Sequence, residues 1–301
     1  MNKSFVLSDA GIAAQHLTVT YANHKGIQDI SFEVQPGHVL GYLGPNGAGK
    51  STTIRALMGF VQAQQGHCTI GGLDCFQARA AIMAHLGYIP GEIHFPAGMR
   101  CDDFLAYQLA LRKVRSTDRM QQLMRQFELD GHRKICQLSK GMKQKLGIIC
   151  AFMHDPDIYI LDEPTSGLDP LMQNVFIDLI LEEKKRGKTI LMSSHLIEEV
   201  EKTSDEVVFI REGKLVGHET MTDLAKKRQR IYQVYTPDYE ILLASSFPIQ
   251  SQLENGVEMK VSMDRLDEWI TLLATIHVEG LNVRQESLED LFLPYYEEGR
   301  S

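Results

Sequence analysis

Gly44-Pro45-Asn46-Gly47-Ala48-Gly49-Lys50-Ser51 is the stretch that decides the fold, and it directly follows the apolar run Val39-Leu40-Gly41-Tyr42-Leu43. Glycines at this spacing let successive backbone N–H groups converge on a phosphate at the N-terminus of a helix. Lys50 adds a positive charge for the β- and γ-phosphate oxygens, and the Ser51 hydroxyl is placed to ligate Mg²⁺. We therefore expect a triphosphate-binding loop that runs on through Thr52. A glycine-rich turn that binds nothing is the alternative.

A pair of carboxylates, Asp162 and Glu163, ends the apolar run 158–161. An acidic side chain at the end of a buried strand is costly unless it serves a cation or a reaction. Asp162 is therefore predicted to hold Mg²⁺ through water. Glu163 is predicted to polarise the water that attacks the γ-phosphate. In the alternative, the two acids only cap the turn at Pro164 and Thr165.

Apolar runs predict the architecture around these motifs. Short continuous runs separated by helical patterns are typical of strands buried in a parallel sheet, and they occur at 39–43, 158–161, 190–193 and 207–210. Residues 14–35 instead alternate between polar and apolar, which predicts two half-buried antiparallel strands joined by a turn at 24–26. Helical patterns at 102–111 and 118–127 predict a mainly helical insertion. The sequence thus predicts an α/β fold.

The pattern changes near residue 223 and indicates a second domain. Strand-like stretches lie at 231–235, 257–261 and 281–283, and helical ones at 264–276 and 287–296. Alternating elements of this length suggest a compact α+β domain, such as a ferredoxin-like one. We predict a triphosphate-binding domain over 1–222, with its helical part at about 92–149, and an accessory domain over 223–301.

Composition restricts the possible partners. The net charge of −8 argues against bulk binding of nucleic acid, although Lys and Arg outnumber Asp and Glu by seven between Arg112 and Lys145. This basic segment is either a set of solvated helix faces or a surface facing phosphates or an anionic leaflet. The five cysteines form no C-x-x-C pair, which fits a reducing cytosol. No apolar stretch is long enough to span a membrane, so we expect a peripheral role at the cytoplasmic face.

The segment Leu138-Ser139-Lys140-Gly141-Met142 resembles the signature of the ATP-binding cassette (ABC) family, Leu-Ser-Gly-Gly-Gln. The resemblance implies that Ser139, Lys140, Gly141 and Met142 close over the γ-phosphate bound by a second subunit. A plain helix N-cap at Ser139 is the alternative. Lys140 and Met142 depart from the commoner residues, and the Lys-Gly-Met form is similar to that of drug, antibiotic and bacteriocin exporters of the ABC-2 type.

Further motifs of the same family follow in order. Ser166-Gly167-Leu168-Asp169 resembles its D-loop, and Ser193-Ser194-His195 resembles the segment that carries its γ-phosphate-sensing histidine. The resemblance implies a catalytic role for His195, whereas a lone histidine near a strand end is usually structural. Tyr21 matches the aromatic residue that stacks on adenine, with a tyrosine of the strand core as the alternative.

One family element is missing. The glutamine that usually follows a Tyr-x-Pro sequence is replaced, since Tyr88-Ile89-Pro90 runs into Gly91-Glu92. Glycine has no side chain to ligate Mg²⁺, so the role falls to Glu92 or to water. Glu92 is predicted to couple the site to a membrane partner, and a solvated loop glutamate is the alternative.

The resemblance covers about residues 14–222. It implies a P-loop NTPase (RecA-like) parallel sheet with an antiparallel β layer and a helical subdomain, to which the accessory α+β domain is added. It implies an ATP-hydrolysing exporter subunit that uses ATP and Mg²⁺ and forms a head-to-tail homodimer or related heterodimer on an integral membrane permease. A soluble ABC-type ATPase acting on nucleic acid or ribosomes is one alternative, and a small-molecule P-loop kinase is another.

Overall fold

The structure of the chain, a computed structural model, describes residues 11–21, 25–287 and 290–291. The chain divides into two compact units, Met1–Met221 and Thr222–Ser301. The boundary predicted from sequence lies one residue further along the chain.

A six-stranded sheet forms the centre of the first unit. Its strands in spatial order are β10 (Lys214–Thr220), β9 (Glu206–Arg211), β3 (Val39–Leu43), β8 (Thr189–Ser194), β7 (Ile158–Asp162) and β6 (Leu86–Ile89). The strands from β9 to β6 run parallel, and β10 is antiparallel to β9. Every residue of β3, β7 and β8 is buried. Strands covered on both faces read as continuous apolar runs, which is why the sequence identified them.

A second, antiparallel sheet in the same unit has the order β2 (Gly26–Val34), β1 (Ile12–Thr20), β4 (Gln65–Ile70) and β5 (Leu73–Asp74). Alternate residues of β1 and β2 are buried, so the two strands were visible as a polar–apolar alternation. The parallel sheet and this antiparallel layer confirm the predicted α/β fold class. The predicted turn at 24–26 begins at a residue outside the described ranges.

Helices flank the parallel sheet: α1 (Lys50–Leu57), α2 (Arg79–Ala84), α6 (Pro170–Lys185) and α7 (Ile197–Thr203). Between β6 and β7 lie α3 (Cys101–Leu111), α4 (Asp118–Gln126) and α5 (Lys140–Phe152), with a 3-10 turn at Ile135–Gln137. No strand occurs between Ile89 and Ile158, and every residue of this stretch is described. Arg119 of α4 forms a short ion pair with Glu183 of α6, a fully buried carboxylate. This ion pair joins the helical segment to a helix of the sheet.

The second unit is a ferredoxin-like β-α-β-β-α-β arrangement. After α8 (Met221–Lys227), its elements are β11 (Arg230–Tyr235), α9 (Tyr239–Leu243), β12 (Ile249–Leu253), β13 (Gly256–Val261), α10 (Leu266–Leu273) and β14 (Gly280–Gln285). The antiparallel strands have the order β12-β13-β11-β14. The buried Trp269 packs edge-on against the rings of Tyr232 and Phe247. The predicted helix at 287–296 falls largely outside the described residues.

The structure differs from the predicted elements in a few places. The helix predicted at 264–276 is a 3-10 turn at Met263–Arg265 followed by the shorter α10. Five strands were not predicted from the sequence. Strands β4, β10 and β12 are largely exposed, and exposed strands lack a strong apolar pattern. Strands β5 and β6 are short, with two and four residues.

All five cysteines are free thiols. Cys68, Cys75 and Cys101 are buried, Cys150 is half-buried and Cys136 is exposed. Within the described ranges, no helix combines the length and the hydrophobicity that a membrane crossing requires.

Candidate active site

The glycine-rich loop joins β3 to α1 at the carboxyl edge of the parallel sheet. Gly47 and Gly49 have φ of 83° and 116°, in the left-handed region that favours glycine. A Cβ at Gly44 would lie 2.4 Å from the Ile210 carbonyl oxygen, so the loop has no room for a side chain there. Helix α1 begins at Lys50 without a side-chain cap. Its first N–H groups are therefore left for an anion.

Lys50 is buried and connects this loop to the end of β7. Its Nζ donates to the Gly44 carbonyl oxygen at 2.6 Å and lies 3.0 Å from Glu163 Oε1. It also lies 3.4 Å from the carbonyl oxygen of Pro45. The cationic group is thus held at the mouth of the loop, between its backbone and a carboxylate.

Glu163 is the residue directly after β7, and its backbone is left-handed, with φ of 50°. Its N–H donates to both the carbonyl and the hydroxyl oxygen of Ser193, at 3.1 and 3.2 Å. Its Oε2 forms a short hydrogen bond with His195 Nδ1. A strained backbone that its neighbours hold in place is common at functional sites. The structure therefore brings together the two residues that the sequence assigned to catalysis.

Asp162 is the last residue of β7 and is buried. Its Oδ1 accepts a 2.6 Å hydrogen bond from the hydroxyl of Ser193. A Cβ added at Gly91 would lie 3.0 Å from Asp162 Oδ2, so the chain after β6 passes close to this carboxylate. Glu92 is exposed and lines a cavity of about 430 Å³ together with Lys140 and Lys143.

The signature segment begins α5. The Ser139 hydroxyl accepts a hydrogen bond from Met142 N at 3.3 Å, which is the N-cap contact given as the alternative. Lys140 Nζ donates to the Ser166 hydroxyl at 3.3 Å, and a Cβ at Gly141 would lie 2.6 Å from the Gly167 carbonyl oxygen. The signature and D-loop segments therefore touch within one chain.

Asp169 and Tyr21 both have structural contacts of their own. Asp169 Oδ1 accepts from Met172 N at 3.0 Å and caps α6. Tyr21 packs partly buried against the core of the first unit, with its hydroxyl oxygen buried and unpaired among the described residues. The stacking of Tyr21 on adenine stays a prediction.

Two buried polar residues near Glu163 were missed in the sequence. Gln144 of α5 donates from Nε2 to the Pro164 carbonyl oxygen at 2.6 Å. Glu199 of α7 accepts hydrogen bonds from the hydroxyls of Ser194 and Thr165, at 2.7 and 3.2 Å. Burial raises the pKa of Glu199 to about 7. The sequence offered one signal for Glu199, its spacing: it lies next to Val200 and four residues before Thr203, which places the three residues on one face of a helix. The structure shows that this face of α7 is buried.

The donor chemistry at this edge fits a nucleoside triphosphate with its magnesium ion. Ser51 and Asp162 offer the hydroxyl and carboxylate oxygens that Mg²⁺ prefers. Among the described residues there is no group of three or more His, Cys, Asp or Glu side chains that could hold a metal. Mg²⁺ usually takes one or two protein carboxylates together with phosphates and water, and Asp162 supplies one such carboxylate. The fold and the loop define a P-loop NTPase.

Comparisons with known proteins agree with the assignment to the P-loop NTPases and identify a family within that class. Residues 27–166 match the family described as "ABC transporter". The ABC transporter ATP-binding protein YhcH of Bacillus subtilis is 32% identical over 280 residues, which cover 89% of this chain and 90% of that protein. The bacitracin transport ATP-binding protein BcrA of Bacillus licheniformis is 35% identical over 73% of each chain. A solved ATP-binding subunit of an ABC transporter superposes with a TM-score of 0.66 at 29% identity, over 72% of this chain and 92% of that one.

The chain therefore belongs to the ABC transporter family, as an ATP-binding protein and an ATPase. The resemblance inferred from the signature segment is confirmed.

Proposed function

We propose that this chain is the ATP-hydrolysing subunit of an exporter, bound to a separate integral membrane permease at the cytoplasmic face of the membrane. The contact chain from Lys50 through Glu163 to His195 carries the enzymatic part of the proposal. The transport direction is supported by the Lys140–Met142 form of the signature. It is also supported by relatives whose names refer to bacitracin transport and linearmycin resistance.

Each residue of this contact chain has a role in the proposed mechanism. Lys50 and the loop N–H groups bind the β- and γ-phosphates. Glu163 orients the attacking water and accepts its proton, and His195 donates to a γ-phosphate oxygen. Ser51 and Asp162 would hold Mg²⁺, which neutralises charge on the phosphate oxygens when bound.

The signature segment is proposed to act on a second subunit, either another copy or a related chain. In a head-to-tail pair, the N-terminus of α5 in one subunit approaches the γ-phosphate bound by the other. Ser139, Lys140, Gly141 and Met142 lie at this helix start. Its N–H groups and the charge of Lys140 both favour an anion there.

The proposed permease contact lies on the helical segment and the loop that follows β6. Tyr107 and Leu111 are exposed apolar side chains one turn apart on α3. Glu92, in the loop that follows β6, is exposed and lines a cavity together with Ile93 and His94. Exposed apolar side chains and exposed charged groups both suit contact with a protein partner.

Purification from detergent-extracted membranes tests this function. We expect an integral membrane protein to co-purify with the tagged full chain, and we expect the complex in lipid vesicles to hydrolyse ATP faster than the chain alone. Stimulation by RNA, DNA or ribosomes, with no effect of the membrane protein, would favour the soluble ATPase. We do not expect this outcome, because the chain has a net charge of −8 and proteins that bind nucleic acid usually present a basic surface.

A further inference from the structure

Glu199 connects the two loops that carry the catalytic pair. The first loop leaves β7 and contains Glu163 and Thr165. The second leaves the neighbouring strand β8, which ends at Ser194, and contains His195. One oxygen of Glu199, Oε2, accepts both hydroxyl hydrogen bonds, at 2.7 Å from Ser194 Oγ and 3.2 Å from Thr165 Oγ1.

The hydrogen bonds continue to the far side of His195. The Leu196 N–H donates to Ser194 Oγ at 3.0 Å, and the same hydroxyl donates to Glu199. The Ser194 hydroxyl thus links the residue before His195 to the residue after it. Glu199 fixes the orientation of this hydroxyl by accepting its hydrogen bond. A loop held at these points presents its histidine in one position relative to Glu163.

The burial of Glu199 indicates that the carboxyl group is there for a purpose other than stability. The residue is 4% exposed, and within the described part of the chain its Oε1 is buried with no hydrogen-bond partner. A buried carboxyl group with an unpaired oxygen costs free energy, because the group loses its hydration without gaining a full set of partners. Packing alone does not explain a glutamate here.

We propose that Glu199 is a positioning residue, which holds His195 and Glu163 in register for ATP hydrolysis through Ser194 and Thr165. The inference rests on the proposed roles of those two residues. Glu199 itself touches neither nucleotide nor water in this scheme.

The ionisation of Glu199 adds a measurable property. Burial raises its pKa to about 7, with a smaller contribution from the Glu163 carboxylate. The hydroxyls of Ser194 and Thr165 and the charge of His195 act in the opposite direction. The ionised carboxylate is the better acceptor for two hydroxyls. We therefore expect the loops to be held more firmly as the pH rises through neutrality.

The test compares Glu199→Ala and Glu199→Gln in the full chain, with Glu198→Ala as the matched control. Glu198 is the neighbouring residue, is exposed, and forms an ion pair with Lys202 one turn further along the same helix. In the alanine variant we expect kcat to fall tenfold or more, because small misplacements of reacting groups are costly. KM for ATP should be unchanged, since the glycine-rich loop is untouched. The control should match the parent.

The glutamine variant separates positioning from folding. Its amide oxygen can still accept the hydroxyls, so it should fold and recover much of the lost kcat. We expect kcat of the parent to rise as the pH passes through neutrality, and we expect this rise to be absent in Glu199→Gln because an amide does not titrate. Thr165→Val, which removes one donor, should give an intermediate loss of kcat. A parental kcat in Glu199→Ala overturns the proposal, and an unchanged pH profile in Glu199→Gln overturns the part that assigns the holding of the loops to the ionised carboxylate.

A parallel Glu163→Gln variant distinguishes this failure from failure of the proposed function. If Glu163→Gln is inactive while both Glu199 variants behave as the parent, only the positioning role is wrong. If Glu163→Gln hydrolyses ATP at the parental rate, the assignment of the catalytic pair is wrong, and the positioning proposal falls with it.

Discussion

Lys50 and Glu163 form an ion pair across the site, with 3.0 Å between Nζ and Oε1. The pair joins the phosphate-binding loop after β3 to the end of β7. In the proposed function, Lys50 binds the γ-phosphate with the same ammonium group that contacts Glu163. We therefore expect nucleotide binding to replace this contact and to leave one oxygen of Glu163 for the attacking water.

Glu163→Gln is expected to retain ATP binding and to slow turnover by at least a factor of about a hundred, as when a positioned base is lost. The amide keeps the size of the side chain and removes the charge that competes for Lys50. Titration with a fluorescent ATP analogue measures binding, and phosphate release measures turnover. ATP-dependent dimers should accumulate in size-exclusion chromatography. Parental phosphate release would contradict the assignment of the base.

Lys50→Ala is expected to lower the affinity for ATP, because the triphosphate loses its nearest cation and must rely on the loop N–H groups. Calorimetric titration measures the change. Lys185→Ala is the matched control, since this lysine is exposed in the last turn of α6. Equal affinity in the Lys50 variant and in the parent would mean that the triphosphate binds elsewhere.

The sequence predicted the elements of this site whose signals are local. Val39–Leu43 was predicted with the observed bounds of β3, because a strand buried on both faces is apolar throughout. The glycine-rich loop and the acidic pair could be predicted because each consists of residues that are consecutive in the sequence.

Contacts between distant segments were not predictable in this way. Thr165 and Glu199 are 34 positions apart, and Gln144 and Pro164 are 20 apart. Nothing in either local pattern marks such a pair. The order of the strands in the sheet brings Thr165 and Glu199 together, since β7 and β8 are neighbours.

Glu183→Ala is expected to destabilise the first unit by about 3 kcal/mol, as when a buried ion pair loses one partner. Glu183 is fully buried, and it contacts Arg119, Arg186 and the Tyr159 hydroxyl. Glu182→Ala is the control, because that carboxylate is 47% exposed and an exposed pair contributes about 1 kcal/mol or less. Urea unfolding followed by circular dichroism compares the two. Equal midpoints would contradict the prediction.

Glu92→Ala is expected to reduce the stimulation of ATPase activity by the membrane partner more than the basal rate. The exposed carboxylate lies at the rim of a cavity shared with the signature helix, where a partner can reach it. A residue that links two sites changes their coupling more than either site alone. Rates with and without the partner in vesicles measure this. Unchanged stimulation would leave Glu92 as a solvated surface residue.

Glu199 also makes stability depend on pH. Its pKa is raised from 4.5 to about 7, so the folded state keeps a proton that the unfolded state releases in this range. The contribution of Glu199 to the free energy of unfolding is therefore highest below pH 4.5. It falls by about 3 kcal/mol in total as the pH rises from 4.5 through 7.

Glu199→Gln should therefore gain apparent melting temperature relative to the parent as the pH rises across this window. Thermal unfolding followed by circular dichroism at several pH values measures the difference, with Glu198→Gln as the control. A constant difference between variant and parent would show that Glu199 does not titrate there.

One cysteine thiol is exposed and gives the unaltered chain a site for labelling with a fluorophore. Cys68, Cys75 and Cys101 are buried, and burial raises the pKa of Cys150 to about 11, which keeps its reactive thiolate scarce. Cys136 is exposed in the 3-10 turn that ends two residues before Ser139. A maleimide fluorophore should therefore attach there first, without mutagenesis, and a change in its emission on adding ATP would test the proposed approach of a second subunit to the start of α5.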